Sequence, residues 1–156
     1  LNEKLGKWNI WLMLLEIGSP KRVEAYLDDA LSSKRKVMGF GHRVYKEGDP
    51  RAAILKRMSA ELTAEIGRPE LYEMSAAIEE TMHDRKGLIP NVDFYSATVY
   101  YSMGIPIDLF TPVFAASRVA GWCAHILEQY SNNRIYRPRG NYVGPHDLRY
   151  VPIDER

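Results

Sequence analysis

The run Gly39-Phe40-Gly41-His42-Arg43-Val44-Tyr45-Lys46, followed by Asp49-Pro50-Arg51, gathers the side chains most able to move protons and hold anions. Two glycines two apart tolerate positive φ and close approach of a ligand, so they frame a loop rather than a helix. That loop ends on His42, whose side chain changes charge near neutral pH, with Arg43, Lys46 and Arg51 behind it. A histidine beside several cations suits proton transfer on an anionic substrate; the competing reading is a turn with one exposed histidine and solvated charges. A second informative stretch is Lys86-Gly87-Leu88-Ile89-Pro90-Asn91-Val92-Asp93. Gly87 ends a helix and Pro90 forces an extended approach, which puts Asn91 to Asp93 at the mouth of a helix from Phe94 to about Ser102. Asp93 is then either the N-cap of that helix or a carboxylate walled by Tyr95, Tyr100 and Tyr101, where partial burial makes a stronger base.

Length and charge narrow the class. The chain of 156 residues is about one domain's worth, and its 21 Lys and Arg are balanced by 20 Asp and Glu, which argues against a general nucleic-acid binder. Cys123 is the sole cysteine, so no internal disulfide can form and a reducing, cytoplasmic setting is expected. No apolar run approaches the roughly 20 residues that span a bilayer, and the first residues carry no signal-peptide pattern. No clustered Cys, His and carboxylate spacing suggests a metal.

The elements that must position the two stretches read as helices. Leu5 to Ile17 forms the first, with Leu5, Trp8, Leu12 and Leu15 at helical spacing and Gly18 as its stop. Its centre, Ile10 to Leu15, is apolar almost all round and therefore buried or covered. Ser19-Pro20 caps a second helix to about Ser32, with Val23, Tyr26, Leu27, Ala30 and Leu31 on one face. Lys34, Arg35 and Lys36 follow, as a solvated linker or a contact to a phosphate-bearing ligand. Asp49-Pro50 starts a third helix ending at Gly67, with Ile54, Met58, Leu62 and Ile66 as its core stripe. Arg51 in its first turn opposes the helix dipole, which points to a role other than helix stability. Pro69 opens a fourth helix with Leu71, Met74, Ile78 and Met82 inward and His83 on the surface. Pro106 to Tyr130 reads as one long helix with Leu109, Val113, Ala116, Ala120, Cys123 and Leu127 recurring and Pro112 a candidate kink. Ala115, Ala116, Ala120 and Gly121 permit close packing, and Trp122 and His125 read as core or interface residues. Arg134, Arg137, Arg139 and Arg149 then alternate with Pro138, Pro145 and Pro152, an arm laid over a partner rather than a domain.

Four segments together, VMGFGHRVYKEGDPRA, GLIPNVDFYSATVYYSMGIP, LFTPVFAASRVAGWCAHILEQ and NNRIYRPRGNYVGP, resemble the carboxyl-terminal part of the citrate synthase family in the family's order. The resemblance runs from about Met13 to the end of the chain, less than half of a typical member. It implies an all-α fold: a helical small domain over 1–105 that binds coenzyme A and carries catalysis, a long helix over 106–130 belonging to the large domain, and an extended arm over 131–156. It implies the acyltransferase reaction of the tricarboxylic acid cycle, in which acetyl-CoA and oxaloacetate give citrate and CoA by enolisation, aldol or Claisen-type addition and thioester hydrolysis, with no metal or redox cofactor.

Residue by residue, the resemblance makes His42 the group that hydrogen-bonds the oxaloacetate carbonyl and acts as general acid, and Asp93 the base that takes a methyl proton from acetyl-CoA. Arg51, Arg118 and Arg137 become the grip on the two carboxylates, a task for which the guanidinium fork is suited. Arg137 would reach a neighbouring subunit's site, which implies a homodimer. Val37, Met38, Gly39, Phe40 and Gly41, with Lys46 and Lys86, would receive coenzyme A. A carboxylate removes so weakly acidic a proton only if the developing enolate oxygen is stabilised at the same moment. One feature departs from the family: Leu1 to Trp8 holds no histidine where a third catalytic group is expected, so little or no synthase activity is expected of the isolated chain. Two other readings stay open, a 2-methylcitrate synthase acting on propionyl-CoA, and a truncated, non-catalytic chain that binds CoA or dimerises with a complete relative.

Overall fold

The structure is a computed structural model that describes residues 6–137 and 139–156, with side chains from Asn9 onward. Its elements are α1 (Gly6–Ile17), a 3-10 turn (Pro20–Arg22), α2 (Val23–Ser32), α3 (Pro50–Glu65), α4 (Pro69–Lys86), α5 (Val92–Ser102), a second 3-10 turn (Ile107–Leu109), α6 (Phe110–Ser131) and a last 3-10 turn (Ile153–Glu155). Among the described residues the only strand-like pairing is an isolated antiparallel bridge between Phe40 and Pro90. The fold is all-α, as the sequence predicts. The chain divides into two compact units, Leu1–Ala120 and Gly121–Arg156.

In the first unit α5 is the central element. Phe94, Tyr95, Ala97 and Val99 are buried, and α1 packs on them through Ile10, Trp11, Met13, Leu14 and Ile17. Trp11 stacks on Tyr101 with ring centroids 4.2 Å apart. The apolar spacing of α1 misleads by one position: Leu12 and Leu15, expected inside, are exposed. Leu5 and the side chain of Trp8 lie outside the described residues. The inward face of α2 is correct, with Val23, Leu27 and Ala30 buried, although it starts through a 3-10 turn and Ser19 makes no side-chain cap. Arg35 does not hang in solvent: it pairs with Asp29 at 2.7 Å and Glu16 at 3.3 Å. On α4, Leu71, Met74, Ile78 and Met82 are buried as expected, and Gly87 caps it at φ +62.

The core stripe expected on α3 is wrong. Ile54, Met58 and Ile66 are 51%, 37% and 41% exposed, and the buried face is Ala52, Ser59 and Thr63. Positions four apart drift about 40° per step round a helix, whereas the small residues line up against α5. Short side chains let the two helices approach closely, and their hydroxyls pair: Ser59 Oγ lies 2.7 Å from Thr98 Oγ1, and Thr63 Oγ1 donates to the Ser59 carbonyl at 2.7 Å.

Phe110, fully buried with its ring edge-on to Tyr100 at 5.5 Å, opens α6. Pro112 lies in the first turn, where its missing N–H removes no intrahelical bond, so it needs no kink. The recurring positions expected to be packed, Ala116, Ala120, Cys123 and Leu127, are exposed, as are Leu109, Trp122 and His125. Spacing alone reports an apolar side, not the surface that covers it. In the second unit the residues past α6 make local contacts: Tyr142 donates to the Pro145 carbonyl at 3.1 Å and Arg156 Nε to the Val151 carbonyl at 2.9 Å.

Candidate active site

The glycine loop and the approach to α5 are sewn together by backbone groups. Gly41 N–H donates to the Ile89 carbonyl at 2.9 Å and Asn91 N–H to the Gly39 carbonyl at 2.8 Å, while Asn91 Nδ2 donates to the Gly41 carbonyl at 3.1 Å. Phe40 adds a ring contact to Phe94 at 4.7 Å. Gly39 is the one position of the loop where a side chain has nowhere to go. Its φ is +88, and a Cβ would sit 2.7 Å from Phe94 Cδ2 and 3.0 Å from Ile10 Cδ1. Gly39→Ala is therefore expected to destabilise the chain by about 2–4 kcal/mol, combining left-handed strain with overpacking; urea unfolding measures it, and a loss within the error of the method would show that Phe94 swings aside freely.

Asn91, not Asp93, caps α5. Its side chain accepts from Asp93 N–H at 3.0 Å, and α5 begins at Val92 rather than Phe94. Asp93 therefore stands in the first turn of α5 and not at its cap. The charge of Asp93 contributes to raising the Arg51 guanidinium pKa, after the larger effect of the Asp49 hydrogen bond. It also adds to the upward shift of the Tyr100 phenol, which burial dominates.

Asp49 joins the two stretches. Its carboxylate, 1% exposed, accepts from Arg51 N–H at 3.0 Å, Arg51 Nε at 2.9 Å, Arg51 Nη2 at 2.8 Å and Val92 N–H at 3.1 Å. One buried carboxylate thus caps α3, aims the guanidinium and ties the start of α5 to the start of α3. These hydrogen bonds, the Arg51 side chain first, hold its carboxyl below the usual aspartate range. Capping also answers the dipole penalty that Arg51 carries in the first turn. The sequence reading credits Asp49 with the cap alone; the available signal was an arginine two residues past a capping aspartate, placed to fold back on it.

His42 is held by its backbone neighbours. Val44 N–H and Tyr45 N–H both donate to His42 Nδ1 at 3.1 Å. Only a lone pair can accept them, so the imidazole proton resides on Nε2. Arg51 Nη2 lies 3.5 Å from that Nε2. With the proton on Nε2 the two donors cannot bond each other, and an acceptor oxygen within reach of both would satisfy both. Lys46 Nζ turns back to the His42 carbonyl at 3.2 Å.

The structure thus groups His42, Arg51 and Asp93 with the Gly39–Gly41 loop and Lys46. Val37 is buried and Met38 half-buried at the root of the loop, and Lys86 is exposed at the end of α4. Arg118 is exposed on α6, its guanidinium 5.1 Å over the ring of Phe114. Arg137 is exposed in the second unit. Behind the loop lies a crevice of about 170 Å³ lined by Asp49, Lys56, Glu79, Pro90 and Tyr95 among others. There Tyr95 donates its hydroxyl to Glu79, which also pairs with Lys56 at 2.7 Å; burial, then Glu79, raises the phenol pKa far above its ordinary value. Among the described residues no group of three or more His, Cys, Asp or Glu could hold a metal ion, and no helix is long and apolar enough to cross a membrane.

The family profile described as "Citrate synthase, C-terminal domain" matches residues 9–139. The chain belongs to the citrate synthase family. It is 58% identical over 144 residues to citrate synthase 2 of Bacillus subtilis, covering 92% of this chain and 39% of that protein. It is 53% identical over 149 residues to citrate synthase of Haloferax volcanii, covering 95% and 39%. In three dimensions it is similar to citrate synthase from Thermoplasma acidophilum, solved as a ternary complex with carboxymethyl coenzyme A and oxaloacetate, with TM-score 0.83, 39% identity, and 97% of this chain and 42% of that one covered. The chain thus spans about two fifths of the length of these citrate synthases.

Proposed function

We propose that this chain supplies the His42, Arg51 and Asp93 part of a citrate synthase active site. The observation that carries the reading is the pair of facing donors, His42 Nε2–H and Arg51 Nη2, beside the carboxylate at the start of α5. Oxaloacetate offers what they lack: a carbonyl oxygen for the imidazole N–H and a carboxylate for the guanidinium. Asp93 takes a proton from the methyl group of acetyl-CoA, and the resulting enol or enolate carbon attacks the carbonyl that His42 polarises. A carbon–carbon bond forms, the carbonyl oxygen becomes the hydroxyl of citryl-CoA with the Nε2 proton of His42, the proton held by Asp93 returns to His42 through solvent, and water then cleaves the thioester to citrate and CoA. Holding both reactants in line supplies up to about 7–11 kcal/mol of the barrier reduction through orientation, and the aimed N–H supplies further stabilisation as charge develops.

Arg118 and Arg137 complete the dicarboxylate grip in this reading, Arg137 from a neighbouring subunit of a homodimer. Coenzyme A lies along Val37 to Gly41 with Lys46 and Lys86, no metal or redox cofactor takes part, and the enzyme serves the tricarboxylic acid cycle in the cytoplasm. Propionyl-CoA is the competing acyl donor, and comparing rates with the two thioesters separates the readings.

The test is direct. Oxaloacetate titrated into the isotope-labelled chain is expected to shift the His42 ring and Arg51 guanidinium resonances saturably, and pyruvate, which lacks the second carboxylate, to shift them less. Arg51→Lys should weaken the oxaloacetate response, since an ammonium cannot make the fork. Absence of any saturable change with oxaloacetate overturns the reading.

A further inference from the structure

We propose that Tyr45 is a positioning residue whose ring braces the His42 imidazole and the Arg51 guanidinium so that both face one ligand oxygen. The two hydrogen bonds to Nδ1 fix one edge of the imidazole but leave it free to pivot about that edge. Asp49 takes Nε and Nη2 of Arg51 in the plane of the guanidinium, which likewise leaves motion out of the plane unrestrained. Tyr45 covers both faces: its ring centroid lies 4.7 Å from that of His42 at an interplanar angle of 36°, and the Arg51 Cζ lies 5.6 Å from the same ring. Its own N–H is one of the two donors to Nδ1. One residue thus holds His42 by backbone and ring, and Arg51 by ring.

Core packing does not explain this aromatic, since Tyr45 is 37% exposed on the loop between His42 and α3. Ring contacts of this type are directional and a cation over an aromatic face adds attraction. The brace depends on the ring and not on the hydroxyl, so Phe replaces Tyr and Ala does not. The choice of ligand rests on the oxaloacetate reading above; the brace itself does not.

Amide hydrogen exchange of the full chain separates the two. Without ligand, the Val44 amide and the amide at position 45 are protected by Nδ1, and His42→Ala defines their unprotected rates. Corrected for intrinsic sequence effects, Tyr45→Ala is expected to speed their exchange by roughly tenfold, toward the His42→Ala rates, while Tyr45→Phe stays within about twofold of wild type. Amides of α3 and α5 should keep their protection in both variants, which shows that the fold is retained. Retained protection at 44 and 45 in Tyr45→Ala, equal loss in Tyr45→Phe, or no change in His42→Ala overturns the proposal. Added oxaloacetate should slow these two amides further in wild type and Tyr45→Phe but not in Tyr45→Ala. If wild type fails to respond to oxaloacetate, the functional reading falls and the ligand-free comparison still decides the role of Tyr45.

Discussion

Asp93→Asn is expected to lower kcat for citrate formation by about 10²- to 10⁴-fold in an active polypeptide carrying this chain, the range typical for losing a positioned general base. The amide keeps the shape of the carboxylate but cannot take the methyl proton. Because Asn91 is the N-cap, the substitution leaves the cap intact, and losing the negative charge from the first turn costs about 0.3–1 kcal/mol of dipole interaction. Thiol release from acetyl-CoA with oxaloacetate reads the rate, and exchange of the methyl protons into deuterated solvent reads the first step alone. Oxaloacetate affinity should change little, since the proposed dicarboxylate grip does not include Asp93. A variant within a few-fold of wild-type kcat would remove Asp93 from the role of base.

The second large effect concerns stability. Asp49→Ala removes a cap, a hydrogen bond to Val92 N–H and a charge-assisted fork to Arg51, and should cost about 2–4 kcal/mol in urea unfolding at neutral pH. The fork contributes less than a buried pair would, because the Arg51 side chain is 42% exposed and solvent screens it. The sign of the pH dependence follows from the depressed carboxyl of Asp49. Its folded value lies below the ordinary 3.8, so the unfolded chain binds the proton first. The stabilisation is complete above that ordinary value and disappears as the pH falls through the lower folded one. Asp49→Asn should therefore flatten the acid limb of the stability profile, while wild type loses stability there. Parallel acid limbs in the two proteins would mean that other carboxylates carry the dependence.

What could be read in the sequence was whatever depends on local grammar. Caps, prolines at helix starts and Gly87 at a helix end fix where α3 and α4 begin and stop, and the large apolar residues of α4 point inward as their spacing says. The loop from Gly39 to Arg51 and the carboxylate at 93 are visible because glycine, histidine, arginine and aspartate have few structural reasons to cluster so. Contacts between distant segments were not legible. Nothing local in Ile54, Met58 and Ile66 tells that α3 turns its small residues, not its large ones, toward α5. The fourfold use of Asp49 depends on Val92, which is far along the chain. The tautomer of His42 depends on a loop turning back on itself, which residue types do not encode. The exposed apolar residues of α6 show the converse limit, since periodicity marks a sticky side without naming what meets it.

The sewing of the glycine loop to the approach of α5 uses backbone carbonyls and amides of Gly39, Gly41, Ile89 and Asn91, with one side chain, that of Asn91. The framework of this region is therefore largely independent of the outward side chains on the loop that follows. Arg43, Val44 and Glu47 are exposed, so they can be randomised as a set while the scaffold beneath stays the same.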